Sequence, residues 1–378
     1  MRQLVKNFKA GQYINQGTHK SFQPNKINRK WNVGNMELIN LLSQADRQLG
    51  RLDMYSEYIP NIDLFISMHV LKEASQSNKI EGTKTNIEEA LLDKEDVNKE
   101  NRDDWEEVQN YILALNTAIT ALEKLPFSSR LIKETHQILL KGVRGKHKLP
   151  GEFRSSQNWI GGASINDATF VPPSHATVNE YMGDLEKFAH NDEHNFPDLL
   201  KIALIHYQFE TIHPFLDGNG RVGRLIINLY LVEKGLLKKP VLYLSDFFEK
   251  NRTLYYDNLT RVREKNDLTQ WCKFFLVGVI ETAQNSIKTF DSILKLQKEL
   301  DSKLQKFGCR SNNVHTIINY LFQRPILNAQ KAKELTNLSL PTVYKLIDEM
   351  EELCIIEEIT GAKRGKFYLF REYIELFK

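Results

Sequence analysis

The chain has 378 residues, 41% of them hydrophobic and 26% charged, with a formal net charge of +3 at neutral pH. That balance fits a globular protein of two or three folding units and excludes a largely disordered chain. So small a net charge also excludes a protein devoted to coating nucleic acid; any such contact has to be local.

The first residues, MRQLVKNFKAGQY, carry positive charge with no apolar stretch behind it, which argues against a secretory signal. No apolar run approaches the roughly 20 residues needed to span a bilayer. Residues 1 to about 35 are rich in Lys, Asn, Gln and Gly without a period, and read as an extended arm lying on the surface. Leu64, Phe65, Met68 and Leu71 then fall at helical spacing in a segment that stops at Gly82. Thr85 and Glu88 make a capping-box pattern for the next short helix. Amphipathic stretches at about 104–124, 128–142, 175–190 and 197–212 make the chain mainly α.

Between them, Lys148 to His175 is irregular and holds Gly151, Gly161, Gly162, Pro172 and Pro173 with the β-type run Asn158, Trp159, Ile160. A loop or small hairpin of that length in a compact domain is usually functional. Leu225 to Val232 is almost wholly apolar and leads to Gly235, the pattern of a buried helix with a glycine terminator. A long helical stretch covers about 267–305, and the polar and glycine-containing residues 306–311 mark a boundary. Beyond it come three short helices, near 314–321, 329–335 and 341–353. A two-stranded hairpin follows, with its turn at Gly361 to Gly365; this is the outline of a winged helix. The three cysteines, Cys272, Cys309 and Cys354, form neither an even disulfide set nor a CxxC pair, so a reducing, cytoplasmic setting is expected.

The segment His213, Pro214, Phe215, Leu216, Asp217, Gly218, Asn219, Gly220, Arg221, Val222, Gly223, Arg224 sits between two apolar helices. Gly218 and Gly220, followed at once by a helix, let backbone N–H groups converge on an anion at the positive helix end. Arg221 and Arg224, three apart, lie on one side of that helix and can reach one polyphosphate. Asp217 offers a hard oxygen suited to Mg²⁺. His213 has an unperturbed pKa near neutrality and can take a proton from a hydroxyl. The glycines also satisfy GxGxxG, but the flanking elements read as helices, where a dinucleotide fingerprint needs strands.

HPFLDGNGRVGR closely resembles the signature of Fic-domain proteins, HPFx[D/E]GNGRxxR, and matches every fixed position. The resemblance implies protein adenylylation, with AMP moved from ATP to a Ser, Thr or Tyr hydroxyl of a protein substrate, itself included. By that resemblance His213 would be the general base and Phe215 the loop anchor. Asp217 would hold Mg²⁺, while Gly218, Asn219 and Gly220 would position the α- and β-phosphates. Arg221 would contact phosphate and Arg224 the γ-phosphate. Ser77 to Gly82, SNKIEG, matches the family's inhibitory pattern [S/T]xxxE[G/N], so Glu81 would pair with Arg224 and restrain the enzyme.

The stretch from Gly151 to Pro173 looks like the family's target-binding flap, with Ile165, Asn166, Asp167 and Ala168 at its tip. Tyr255 and Tyr256 would wall the adenine pocket, with core packing as the alternative. The expected domains are an amino-terminal extension with the inhibitory helix (1–100), a Fic catalytic core with a short β-hairpin flap (101–305) and a winged helix (306–378). Family members often pair through the core, which makes a homodimer one option that no sequence feature here establishes.

In the winged-helix module, Thr342, Val343, Tyr344 and Lys345 would begin a recognition helix, with Lys363, Arg364 and Lys366 at the wing tip. Asp348, Glu349, Glu351 and Glu352 on the same helix weigh against DNA, and Cys354 stands where a glycine usually ends it. The rival reading is a DNA-binding regulator whose Fic core senses ATP. Relatives with the same loop transfer UMP or phosphocholine, or remove AMP, and the donor's base cannot be read from these residues.

Overall fold

A computed structural model describes residues 8–59, 61–84, 86–142, 145, 147–193, 195–361 and 365–378, and of Cys309 the backbone alone. Thr85, Lys363 and Arg364, named above for a helix cap and a wing tip, lie outside the described residues.

The expected surface arm is a folded part of the core. β1 (Gly11–Asn15) and β2 (Lys20–Pro24) pair antiparallel with Tyr13 opposite Phe22. Phe8, Ala10, Phe22, Ile27 and Trp31 are buried, and the Trp31 ring packs on Phe188 and Phe196. The backbone is pinned as well: Asn266 Oδ1 accepts from Ala10 N–H at 2.7 Å, and the Asp184 carboxylate accepts from Ile27 N–H at 2.7 Å. Five apolar residues scattered without period among polar ones give no pattern to read, although together they bury a face.

Helices follow in the expected order. α1 (Met36–Tyr58) begins at Asn35, whose side chain accepts from Leu38 N–H, satisfying one of the orphan donors of the first turn. α2 (Ile62–Ile80) leads to α3 (Ile87–Ala90), whose cap is Asn86, accepting from Glu89 N–H, one residue beyond the expected Thr85. α4 (Arg102–Ala121) and α5 (Ser129–Leu139) precede the irregular stretch, and α6 (Val178–His190) follows it. α7 (Asp198–Ile212) and α8 (Asn219–Glu233) are buried on nearly every side, as befits central helices that are apolar all round. After α9 (Ser245–Lys250) and α10 (Arg252–Lys265), α11 (Leu268–Leu304) runs 37 residues. At 1.5 Å per residue that is about 55 Å. α11 lies along α1 and is tied to α7 by Trp271 Nε1, which donates to the Ala203 carbonyl at 2.8 Å.

At Gly308 the backbone leaves helical geometry (φ 56°, ψ −126°). Then come α12 (Ser311–Gln323), β3 (Ile326–Asn328), α13 (Ala329–Thr336), α14 (Leu340–Glu352), β4 (Glu357–Glu358), β5 (Phe367–Leu369) and α15 (Arg371–Glu375). The sheet has three antiparallel strands in the order β3-β5-β4, where a two-stranded hairpin was expected. β3 is three residues long, too short for alternation to be visible. Cys354 takes the left-handed position after α14 (φ 52°), the place where helices favour glycine. This carboxyl-terminal unit packs on α2 through Phe65 against Phe322, 5.2 Å between ring centroids, and His69 against Phe377 at 4.9 Å.

Candidate active site

The α7–α8 connection turns in two left-handed steps. His213 ends α7 at φ 51°, ψ 60°, and Gly218 opens α8 at φ 73°. The second costs a glycine little, whereas the first strains a residue with a Cβ and must be held by its surroundings. Phe215 is fully buried, and its ring lies flat on His136, 3.7 Å between centroids and 9° from parallel. Asn219 closes the loop: its Oδ1 accepts from Phe215 N–H at 2.8 Å and its Nδ2 donates to the Phe215 carbonyl at 2.9 Å. Both ends of the amide expected to position phosphates are thus engaged by the loop itself.

On one side the loop faces α2. Arg224 donates from Nε to Ser77 Oγ at 2.8 Å, and from Nη2 to the Ser77 carbonyl at 2.9 Å and to Glu81 Oε1 at 2.7 Å. The Arg224 side chain is 1% exposed and that of Glu81 37%. Burial works against the charge on Glu81, but the Arg224 guanidinium outweighs it and holds the carboxyl below its ordinary range. Burial likewise opposes the charge on Arg224, and Glu81 overcomes it. A Cβ at Gly220 would stand 2.4 Å from Glu81 Oε1. Only a glycine there lets the carboxylate lie over the first turn of α8, where N–H groups are unpaired. Arg221 points the same way, donating to Glu107 at 3.1 Å and Asn78 at 3.4 Å.

On the other side the loop is held by its backbone. His136 Nδ1 accepts from Gly151 N–H at 2.8 Å, leaving Nε2 to donate to the Asp217 carbonyl at 3.1 Å. The Asp217 carboxylate accepts from Gly218 N–H at 2.6 Å and is half-exposed. Asn158 Nδ2 donates to the Phe215 carbonyl at 2.9 Å, and Arg154 N–H to the Pro214 carbonyl at 2.8 Å. The irregular stretch itself closes through one antiparallel bridge, Ile160 with Phe170. Its tip, Ile165–Asp167, is a 3₁₀ turn in a capping box with Ser164. Hydrogen bonds from Ser164 and Ala163 hold the Asp167 carboxyl down at about 2. Phe22 N–H donates to the Val171 carbonyl at 2.9 Å, so the amino-terminal hairpin adjoins this stretch.

Burial, then the charge of Arg154, lower His213 to about 4, against the pull of Glu81 and the Glu210 carbonyl. The imidazole is therefore neutral at pH 7 and free to accept a proton. Glu210, one turn earlier on α7, is pushed up to about 7 by burial, with Arg224 opposing and Glu81 adding. Its Oε1 has no hydrogen-bond partner and reaches to 2.2 Å from where a Cβ of Gly223 would stand.

The two tyrosines separate. Tyr255 is buried, stacks on Phe248 at 4.6 Å and shares its hydroxyl with His206 Nε2 at 2.9 Å, which fits the packing alternative. Tyr256 is 40% exposed, with its ring 5.1 Å from that of Tyr255. His136, Arg154, Glu107 and Glu210 escaped the sequence reading, and Asn158 entered it only as part of a β-type run. Glu210 had a visible signal, the sole acid between Leu199 and Ile212, and His136 sits on the apolar face of α5. Nothing local marks Arg154, a cation in a glycine-flanked loop.

Two family models match the chain, Fic/DOC family N-terminal at residues 39–120 and Fic/DOC family at 126–231. A protein adenylyltransferase Fic of Aedes aegypti is 29% identical over 175 residues, covering 44% of this chain and 31% of that protein. A probable protein adenylyltransferase of Aquifex aeolicus is 30% identical over 178 residues, 45% of this chain and 50% of that one. The match thus spans half or less of these relatives' length. In fold, the chain is similar to a Fic family protein from Desulfovibrio desulfuricans G20, with a TM-score of 0.58 at 19% identity over 90% of this chain and 98% of that one. A Fic domain containing signaling protein from Bacteroides thetaiotaomicron gives 0.54 at 20% identity over 66% and 97%. The chain thus carries a Fic/DOC family N-terminal segment at residues 39–120 and a Fic/DOC family domain at 126–231, the latter containing the twelve-residue loop, in a Fic-type helical fold.

Proposed function

We propose that the chain is a protein adenylyltransferase that uses ATP and is restrained by Glu81. The observation that carries this reading is the pairing of a neutral His213 with an anion cradle at the head of α8, over which the Arg224–Glu81 ion pair is closed. The relatives named as adenylyltransferases support the choice of reaction.

In the proposed reaction, His213 takes the proton of a target hydroxyl, and the freed oxygen attacks the α-phosphorus. A new P–O bond forms to the target, the bond to the β-phosphate oxygen breaks, and pyrophosphate leaves. Arg224, released from Glu81, would hold the γ-phosphate, and Gly218 and Gly220 would present N–H groups to the other phosphates. Asp217 fits a Mg²⁺ ion, since its carboxylate reaches solvent and Mg²⁺ commonly takes one or two carboxylates with phosphates and water. When bound, the ion would neutralise phosphate charge.

The target would lie on the flap around Ile165–Ala168. We also read residues 306–378 as a winged-helix module, a reading supported by helices α12, α13 and α14 and the β3-β5-β4 sheet, with α15 following the last strand. No helix among the described residues is long and apolar enough to cross a membrane.

The test incubates cell extract and labelled ATP with the Glu81→Gly protein, and identifies modified peptides by mass spectrometry. Adenylylated Ser, Thr or Tyr is expected, with none from a Glu81→Gly, His213→Ala double variant. Salt-dependent DNA binding without label transfer would instead favour the regulator.

A further inference from the structure

We propose that Arg154 is a positioning residue for this reaction: one guanidinium at the flap's base holds His213 in place and ties it to both roots of the flap. The inference rests on the adenylyltransferase reading for its kinetic consequence, and on geometry for the rest.

Arg154 is 2% exposed, and among the described residues no carboxylate lies within ion-pair distance of it. All its side-chain hydrogen bonds go to carbonyls. Nε donates to His213 at 3.0 Å, and Nη2 to Ile212 at 3.3 Å and to Pro173 at 2.5 Å; Nη1 donates to Ser156 at 3.2 Å. Ile212 ends α7 and His213 caps it, at the negative end of a helix dipole, which is what makes a buried cation without a counter-ion tolerable there. Ser156 and Pro173 bracket the stretch that carries Ile160, the Ile165–Asp167 turn and Phe170.

The same cation therefore meets three needs. It satisfies carbonyls that the left-handed turn at His213 leaves without helical partners. It joins the ends of the flap to the residue that takes the proton. Its charge, with that of Arg263, also helps keep the imidazole neutral; Glu81 and the Glu210 carbonyl act in the opposite direction on the same ring. Asn158, also at the flap's base, adds a tie to the Phe215 carbonyl. A target that settles on the flap thus presses on a frame of which His213 is one corner.

The test uses the full chain with Glu81→Gly, alone and combined with Arg154→Met or Arg154→Lys. It reads two quantities: the NMR titration of the His213 ring, and kcat and KM for label transfer. In Arg154→Met the ring titration should move up by roughly a unit, as expected when a neighbouring like charge is removed. Its kcat should fall about 10²-fold, the scale of a misplaced catalytic group, with KM for ATP unchanged. Arg154→Lys keeps the charge but cannot reach four carbonyls at once, so the titration should stay low while kcat still falls.

Unchanged kcat in Arg154→Lys overturns the positioning role, and this variant decides alone if Arg154→Met does not fold. A ring titration unmoved in Arg154→Met overturns the electrostatic part. If the Glu81→Gly parent transfers no label yet Arg154→Met shifts the ring, the adenylyltransferase reading fails and the clamp on His213 stands.

Discussion

The signature loop is held differently on its two sides. Toward α2, the contacts are charged side chains: Arg224 with Glu81 and Ser77, Arg221 with Glu107 and Asn78. Toward α5 and the flap, they are carbonyls and a ring stack: His136 under Phe215 and Asp217, Arg154 and Asn158 on the carbonyls of residues 213 and 215. Charged contacts can be exchanged for those of a charged ligand, whereas contacts to the backbone define the loop's shape and have no substitute. One side of the loop is thus suited to regulation and the other to support.

The largest test removes the support. Phe215→Ala should lose about 3–5 kcal/mol of stability, the usual cost of deleting a fully buried ring, measured by denaturant unfolding. A loss below about 1 kcal/mol would mean the stack on His136 does not fix the loop.

Glu81→Gly strikes the other side. The purified variant should transfer label about 5- to 150-fold faster than the parent, the range of a coupling worth about 1–3 kcal/mol, with little change in Tm. Because the Glu81 carboxyl is held low, acid releases Arg224 only as the pH falls below the ordinary carboxylate range. No gain in rate, at equal ATP binding, would remove the ion pair from any restraining role.

Glu210 lies between the two sides. Its carboxyl is raised to about 7 when folded, so the folded chain binds the proton more tightly than the unfolded one. Ionisation therefore costs stability as the pH rises from the unfolded value toward 7, and the loss levels off above it. Glu210→Gln should be more stable than the parent at pH 8 by on the order of 3 kcal/mol and close to it at pH 4. Parallel Tm curves across that range would refute the buried titration.

Ser77→Ala should have the smallest effect. It removes one neutral partner of Arg224, worth about 1 kcal/mol, while Glu81 and the Ser77 carbonyl still hold the guanidinium. The rate should rise roughly fivefold, and a gain equal to that of Glu81→Gly would show the hydroxyl to be the main tether.

What could be read in the sequence follows the same division. Helical spacing exposed α2, α7 and α8, because buried helices write their period over a dozen or more residues. The contiguous loop from His213 to Arg224 carried its chemistry in its residue types, and SNKIEG pointed to the partner of Arg224. The supports did not show. His136 and Arg154 act on the loop from 81 and 59 positions upstream, through their contacts with the Asp217 and His213 carbonyls. Each does so as a single residue with no repeat or spacing to announce it. The amino-terminal segment around the β1–β2 hairpin escaped for a related reason: its buried residues Phe8, Ala10, Phe22, Ile27 and Trp31 are held by tertiary neighbours, such as Asp184 and Phe196, that no local pattern names.

The approach of Glu81 over Gly220 has a genetic corollary on the adenylyltransferase reading. A side chain at 220 would evict the carboxylate, but it would also fill the space a nucleotide needs, so that codon cannot yield an unrestrained enzyme. Gain-of-function alleles should therefore cluster in the codons for residues 77–81, and loss-of-function alleles in those for 213–224. A random library sorted for rising label incorporation would map the two phenotypes onto separate exchanges, one segment tuning the enzyme and the other silencing it.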